Sequence, residues 1–211
     1  MGLADDYLTG LKARWAEIGD ADSVAQFGWT NGATTTDLAR LRSAFPQCPD
    51  TLIGLLGVVD GTDYRDYDGH TVGVPLFGRV GYLTGYELRS TDRILRDASD
   101  EFFAKSIRDI YGDDLDEWLP VGRDREPGKG HRDDRINPDV PLASRLRFAQ
   151  DMGGDSGWLM IDFNPAGEGT VGQIIQYVHD PDSYSVLAGS FDDYLHTMMD
   201  DGYPFADPDY L

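Results

Sequence analysis

The chain has 211 residues, 40% of them hydrophobic, with 38 acids against 18 bases and a formal net charge of -20. That is enough apolar material for one large core or two small ones, while the negative field repels DNA, RNA and anionic lipid and so excludes nucleic acid and membrane as direct partners. Cys48 is the single cysteine, which excludes an intramolecular disulfide and fits a reducing cytoplasm.

Residues 1–6 show neither the basic nor the long apolar region of a signal peptide, and no stretch reaches the ~18 apolar residues of a membrane span. Leu3, Tyr7, Leu8, Leu11, Trp15 and Ile18 recur at helical spacing, predicting an amphipathic packing helix over 3–18 that ends at Gly19 and Asp20. A turn over 28–33 leads to Thr34, an N-cap with Asp37 three residues on, and Leu38, Leu41 and Phe45 mark one helical face. Pro46 and Pro49 break that helix. Pro49 fits the first turn of the next, with face Leu52, Ile53, Leu55, Leu56 and Val59 and close at Asp60-Gly61.

Residues 72–83 are rich in Val, Leu, Phe and Tyr but broken by glycine and proline, predicting short strands or a bent hairpin. Leu88, Ile94, Leu95 and Ala98 predict a short helix; Phe102, Phe103, Ile107, Ile110 and Tyr111 predict another. Residues 122–141 are dense in charge, glycine and proline with almost nothing apolar, the pattern of a mobile loop or insertion outside the core and a candidate binding arm. Strands then follow over 145–150, 157–163, 171–178 and 184–187, with short turns that suit an antiparallel meander. Ser190 caps a last helix over 191–199, with Asp192 and Asp193 at its positive end.

The fold class is therefore α+β, a mainly antiparallel central sheet flanked by N-terminal helices and a C-terminal helix. The expected division is an N-terminal helical extension over 1–27, a single domain over 28–205 carrying the polar insertion at 122–141, and a tail over 206–211. Charge is uneven along it. Residues 148–211 hold 12 acids and no Lys or Arg, yet the acids are interleaved with an ordered aromatic, branched and glycine pattern. A folded acidic face of this kind suits a basic protein partner, although solubility alone would also produce it.

Catalytic chemistry finds little footing. His70, His131, His179 and His196 are too dispersed for a local zinc signature, and Cys48 has no evident base. Asp60, Asp63, Asp66 and Asp68 lack the spacing and terminal Glu of a calcium loop. Gly153-Gly154 is a turn without the Lys-Ser/Thr of a phosphate cradle. No catalytic residue, metal or cofactor is expected. Two clusters are candidate partner-binding sites: Asp63, Tyr64, Asp66, Tyr67 and Asp68, where aromatics alternate with acids, and Asp180, Asp182 and Tyr184. Asp162 is expected to accept hydrogen bonds from the 166–169 turn, Gly169 and Gly172 to serve backbone geometry, Gln173 to fix a backbone amide, and Trp158 to lie in the core, with a partner contact at Asp162, a ligand contact at Gln173 and a binding platform at Trp158 as the alternatives.

Several pieces in order carry a family resemblance. They are Gly32-Ala33-Thr34 and the helix pair ending at Asp60-Gly61; Phe148-Ala149-Gln150-Asp151-Met152-Gly153-Gly154-Asp155; Trp158 to Pro165; Gly169 to Ile175; and Ser190-Phe191 with Tyr194 and Leu195. The chain resembles the Smi1/Knr4, or SUKH, superfamily over roughly residues 28 to 200. The resemblance implies a binding domain, not an enzyme. Many bacterial members of that superfamily are immunity proteins, and fungal relatives regulate cell-wall synthesis through protein contacts. Gly32, Thr34, Asp60, Gly61, Gly154, Trp158, Asp162, Pro165, Gly169, Gly172, Gln173, Ser190 and Phe191 match the family motif and are expected to be structural. The leading expectation is a cytoplasmic protein-binding module that neutralises a cationic toxin domain by occlusion. The alternatives are a regulatory adaptor linked to cell-wall or envelope synthesis, and a hydrolase using a carboxylate pair.

Overall fold

The computed structural model describes residues 2–79, 82–121, 129–152 and 156–206. Helix α1 (Leu3–Ile18) buries Tyr7, Leu8, Leu11 and Trp15 and ends at Gly19, whose φ of +79° suits a glycine. Asp20 does more than end α1. Its carboxylate accepts the Ser23 amide at 3.0 Å and caps α2 (Ala21–Gly28), a helix that the sequence pattern did not suggest. Helix α3 (Thr35–Ala44) starts at the Thr34 cap, and α4 (Asp50–Leu56) follows Pro49.

Strands β1 (Arg65–Tyr67) and β2 (His70–Val72) form a separate hairpin. Then come β3 (Pro75–Arg79), β4 (Tyr82–Leu88), α5 (Thr91–Asp97) and α6 (Ile107–Tyr111). Leu88 thus closes a strand and does not open the helix after it. The 102–111 apolar run is helical only from Ile107, where Ser106 and Asp109 form a capping box. A 3-10 segment over Gly112–Glu117 leads to β5 (Leu119–Pro120) and β6 (His131–Arg132). Strands β7 (Leu146–Asp151), β8 (Gly157–Asp162), β9 (Gln173–Val178) and β10 (Ser183–Ala188) precede α7 (Phe191–Asp200).

Among the described residues the main sheet has eight strands in the order β3-β4-β7-β8-β9-β10-β6-β5. Pairing is antiparallel from β3 to β10, and parallel where β6 joins β10 and β5 joins β6. This corrects the reading of 122–141 as a loop outside the core, insofar as residues 129–141 are described. Ile136 is fully buried, His131 pairs in the sheet, and Arg145 and Gln173 donate to the carbonyls of Asn137 and Arg135 at 2.6 and 3.0 Å. Backbone pairing and two borrowed side chains hold a segment that has almost no apolar content of its own.

Both faces of the sheet are covered, which explains the almost unbroken burial along β7 to β9, where Arg147, Gln150 and Gln176 are interior as well. The first face packs Leu88, Phe148, Leu159 and Ile161 against α1, α4 and α7. Residues 2–27 share that core with the rest of the chain: the Tyr7 hydroxyl donates to the Leu76 carbonyl at 2.7 Å, and Tyr203 donates to the Tyr7 carbonyl at 3.0 Å. The second face packs Trp158, Met160, Ile175, Tyr177 and Tyr184 under Phe103, Ile107, Leu115, Ile136 and Leu142. Strand register sets one row across it: Glu87, Gln150, Trp158, Tyr177, Tyr184.

Candidate functional site

The two acidic clusters singled out in sequence lie near opposite ends of this row. At the β4 end the chain turns from Asp60 into the β1–β2 hairpin. Asp63 is 0% exposed, which corrects its reading as a surface contact. Its carboxylate takes the Arg93 guanidinium at 3.0 Å and Arg89 at 3.5 Å. Burial pushes the Asp63 carboxyl up, and Arg93 and Arg89 pull it back. Arg89 also donates to Gln150 and, at 2.9 Å, to Asp97. Asp97 accepts Arg147 at 2.8 Å, and the Arg147 guanidinium lies 5.1 Å over the Trp158 ring. A buried chain of alternating charge therefore runs from Asp63 to the middle of the second face. It organises the fold around the row, because an unpaired charge at any of these positions would be costly.

Tyr67 is interior as well, its hydroxyl donating to the Gly61 carbonyl at 2.7 Å. Tyr64 (63% exposed), Asp66 and Asp68 remain on the surface. Asp66 closes the hairpin by accepting the Gly69 amide at 3.2 Å.

The β10 end is open. A cleft of about 500 Å³ lies between the 3-10 segment, the start of β6 and the β9–β10 turn. Its wall is aromatic: Tyr111 packs 4.6 Å from Trp118, and Trp118 stacks 6.2 Å from Tyr184. Gly130 makes this possible, because a Cβ there would stand 2.2 Å from the Trp118 ring. Asp114, Glu117, Asp180 and Asp182 line the cleft, against Lys129 and His179. Lys129 is tied to Glu117 at 2.9 Å. Asp182 accepts from the Tyr177 hydroxyl at 2.6 Å and contacts His179 Nδ1 at 2.9 Å. The hydrogen bond to Asp182, then its charge, hold the exposed His179 imidazole above its usual range. Burial pushes the Tyr111 phenol up to about 12, so it stays neutral and can donate. Tyr184, expected on the surface, is buried at 1% exposure behind Trp118, where its register with Tyr177 puts it in the second core.

The positions that match the family motif sit on backbone geometry. A Cβ at Gly32 would meet the Gly57 carbonyl at 1.9 Å. Thr34 and Ser190 accept the Asp37 and Asp193 amides at 3.2 and 3.1 Å. Asp60 accepts the Thr91 amide at 2.8 Å and pairs with Arg65, next to Gly61 at φ +96°. Asp162 accepts the Asn164 amide at 3.1 Å, Gln173 Nε2 at 3.2 Å and faces Arg145 at 3.4 Å. Its partners are thus not the 166–169 turn. That turn, with Pro165 and Gly169 packed together, instead rests on Arg135 through the Ala166 amide. Gln173 also accepts the Thr170 amide at 3.2 Å, Gly172 has φ +90°, and Trp158 and Phe191 lie in the second and first cores. Gly154 lies outside the described residues. Sequence reasoning missed Glu87, Arg89, Arg147, Tyr111 and Trp118. The only sequence signal for the arginines was a base set between apolar strand residues, as in Arg145-Leu146-Arg147.

Among the described residues no group of three or more His, Cys, Asp or Glu side chains is placed to hold a metal ion, and no helix is long and apolar enough to cross a membrane. A family model, SMI1 / KNR4 family (SUKH-1), matches residues 32–197. No curated protein matches the chain.

Proposed function

This chain belongs to the SMI1/KNR4 (SUKH-1) family, a family of non-catalytic protein-interaction domains, and we propose that it is a cytoplasmic module that binds a basic protein, a cationic toxin domain which it neutralises by occlusion. The family's character sets aside the hydrolase reading. The observation that carries the proposal is the open cleft, where, among the described residues, four carboxylates outnumber two basic groups around an aromatic wall.

Its chemistry fits a basic side chain. Asp180, Asp182 and Asp114 offer oxygen acceptors, while Trp118 and Tyr111 offer π faces to a guanidinium or ammonium group. The field from residues 148–211, with 12 acids and no Lys or Arg, would accelerate encounter with a positive partner, and the aromatic wall would slow its departure. Between the two acidic ends stands Phe102, 44% exposed and edge-on to Trp158 at 6.3 Å. An apolar centre with an acidic rim is the anatomy of a protein interface.

The test is capture of partners from the source lysate at low and moderate salt, followed by affinity measurement with the chain and its Asp180→Asn/Asp182→Asn variant. A basic toxin domain inactivated at one-to-one stoichiometry, bound about tenfold more weakly by the variant, supports the proposal. Equal affinities overturn the cleft as the site. A bound partner that stays active overturns neutralisation and transfers the weight to a regulatory adaptor.

A further inference from the structure

Strand β4 holds one side chain that the fold leaves unused. Glu87 has 0% of its surface exposed, and among the described residues neither carboxylate oxygen has a hydrogen-bond partner. Leaving buried polar atoms unsatisfied costs on the order of 1–3 kcal/mol. Pro75 and Gln150 flank it in register. The charged groups that act on it are Asp63 before β1, Arg93 on α5 and Asp151 at the end of β7. Each is already engaged: Asp63 with Arg93 and Arg89, and Asp151 with Ser156 and the Gly157 amide. Burial pushes the Glu87 carboxyl up to about 8, Asp63 and Asp151 add to this, and Arg93 opposes it. At neutral pH it therefore holds its proton.

An exposed ring stands beside this enclosed carboxyl. Gly73 has no side chain; a Cβ there would lie 3.3 Å from Glu87 Oε1 and 3.5 Å from the Tyr64 ring. Tyr64 is 63% exposed with φ +50°, a left-handed conformation that an aromatic residue rarely adopts. The residue is thus largely in solvent, at the edge of the enclosed carboxyl.

We propose that Glu87 anchors a second cation-binding site, which takes an arginine side chain of the partner protein once the Tyr64 ring moves aside. Arginine fits better than lysine. Its planar fork matches two free carboxylate oxygens, and it stacks on an aromatic ring. On entry the Glu87 carboxyl loses its proton to solvent and the carboxylate pairs with the guanidinium. The inference rests on the reading of the partner as a basic protein, but its residues are separate from the cleft. Glu87 lies four strands from Tyr184 in the row, about 19 Å at ~4.8 Å per strand. One interface of ordinary size, about 800 Å² per partner, spans both.

The experiment is an NMR titration of the full chain, carboxyl-labelled at glutamate, with N-acetyl-arginine amide, and with N-acetyl-citrulline amide as the neutral isostere. The expected result is a saturable shift of the Glu87 carboxyl carbon and the Gly73 amide with arginine alone, and a Glu87 titration midpoint lowered by about one pH unit. Glu87→Gln, which keeps the shape, should remove the Gly73 response and leave the Gly130 amide responsive in the cleft. Tyr64→Ala should strengthen binding at Gly73 about threefold, an effect on the order of 0.6 kcal/mol. No shift at Glu87, equal effects of citrulline, or an unchanged Gly73 response in Glu87→Gln overturns the inference. A response at Gly130 without one at Glu87 overturns it while sparing the cleft; the reverse overturns the cleft while sparing Glu87.

Discussion

Aspartates near the two ends of one sheet face have been put to opposite uses. Near β4, Asp63 and Asp97 are enclosed with Arg89, Arg93 and Arg147, and their charge is spent on fixing the chain. At the β9–β10 turn, Asp180 and Asp182 face an open cleft whose bases, among the described residues, are Lys129, already tied to Glu117, and His179. Composition does not separate the two groups. What separates them is their arginine partners: three meet Asp63 and Asp97, while among the described residues none lines the cleft.

The largest test of the contrast is Arg89→Ala. It would leave Asp63 and Asp97 buried with less compensation, and a loss of about 3–5 kcal/mol is expected in urea unfolding followed by circular dichroism. A loss below about 1 kcal/mol would mean that this end is as solvated as the other. Gly130→Val comes next. Its side chain collides with Trp118, so about 1–3 kcal/mol of stability and most of the affinity for a basic partner should disappear together, with a shift in tryptophan fluorescence as the direct readout.

Glu87→Gln should separate the ends by pH. The carboxyl of Glu87 is raised to about 8, so the native state binds the extra proton between the unfolded value near 4.5 and that point. Stability is unaffected below the unfolded value and is lost as pH rises through about 8. The variant should match the parent at pH 4 and exceed it at pH 9 by on the order of 2 kcal/mol, read from paired denaturant midpoints. The smallest effect belongs to the cleft. Asp182→Asn removes the partner that holds His179 up. The His179 midpoint should fall in a proton NMR titration, while global stability stays nearly constant because the pair is exposed. The wild-type pair favours the folded state below the ordinary histidine value and loses that contribution as pH rises through the raised one.

The sequence made some of this legible and hid the rest for physical reasons. Helix α1 spans the 3–18 predicted from its apolar spacing, and the caps at Thr34 and Ser190 stand where predicted, since both signals are local. Helix α2 was missed because eight residues offer too few periods and because Asp20 serves as a start as well as a stop. Residues 129–141 looked detached because their hold is backbone pairing, which leaves no apolar trace. Within the candidate site, Asp180, Tyr64, Asp66 and Asp68 are exposed, as their composition suggested, and Asp182 is half-buried. Asp63, Tyr67 and Tyr184 were not separable from them, since burial was decided by arginines and strands distant in sequence.

The outermost strands of the main sheet are β3 and β5, and each carries a proline: Pro75 opens one and Pro120 closes the other, a strand of only two residues. A proline has no amide hydrogen to offer a newcomer, and a two-residue strand gives it almost no template. Sheet-to-sheet polymerisation is thereby discouraged on both sides. Among the described residues, the eight-stranded sheet thus offers little edge to a ninth strand, and a visitor meets it through side chains.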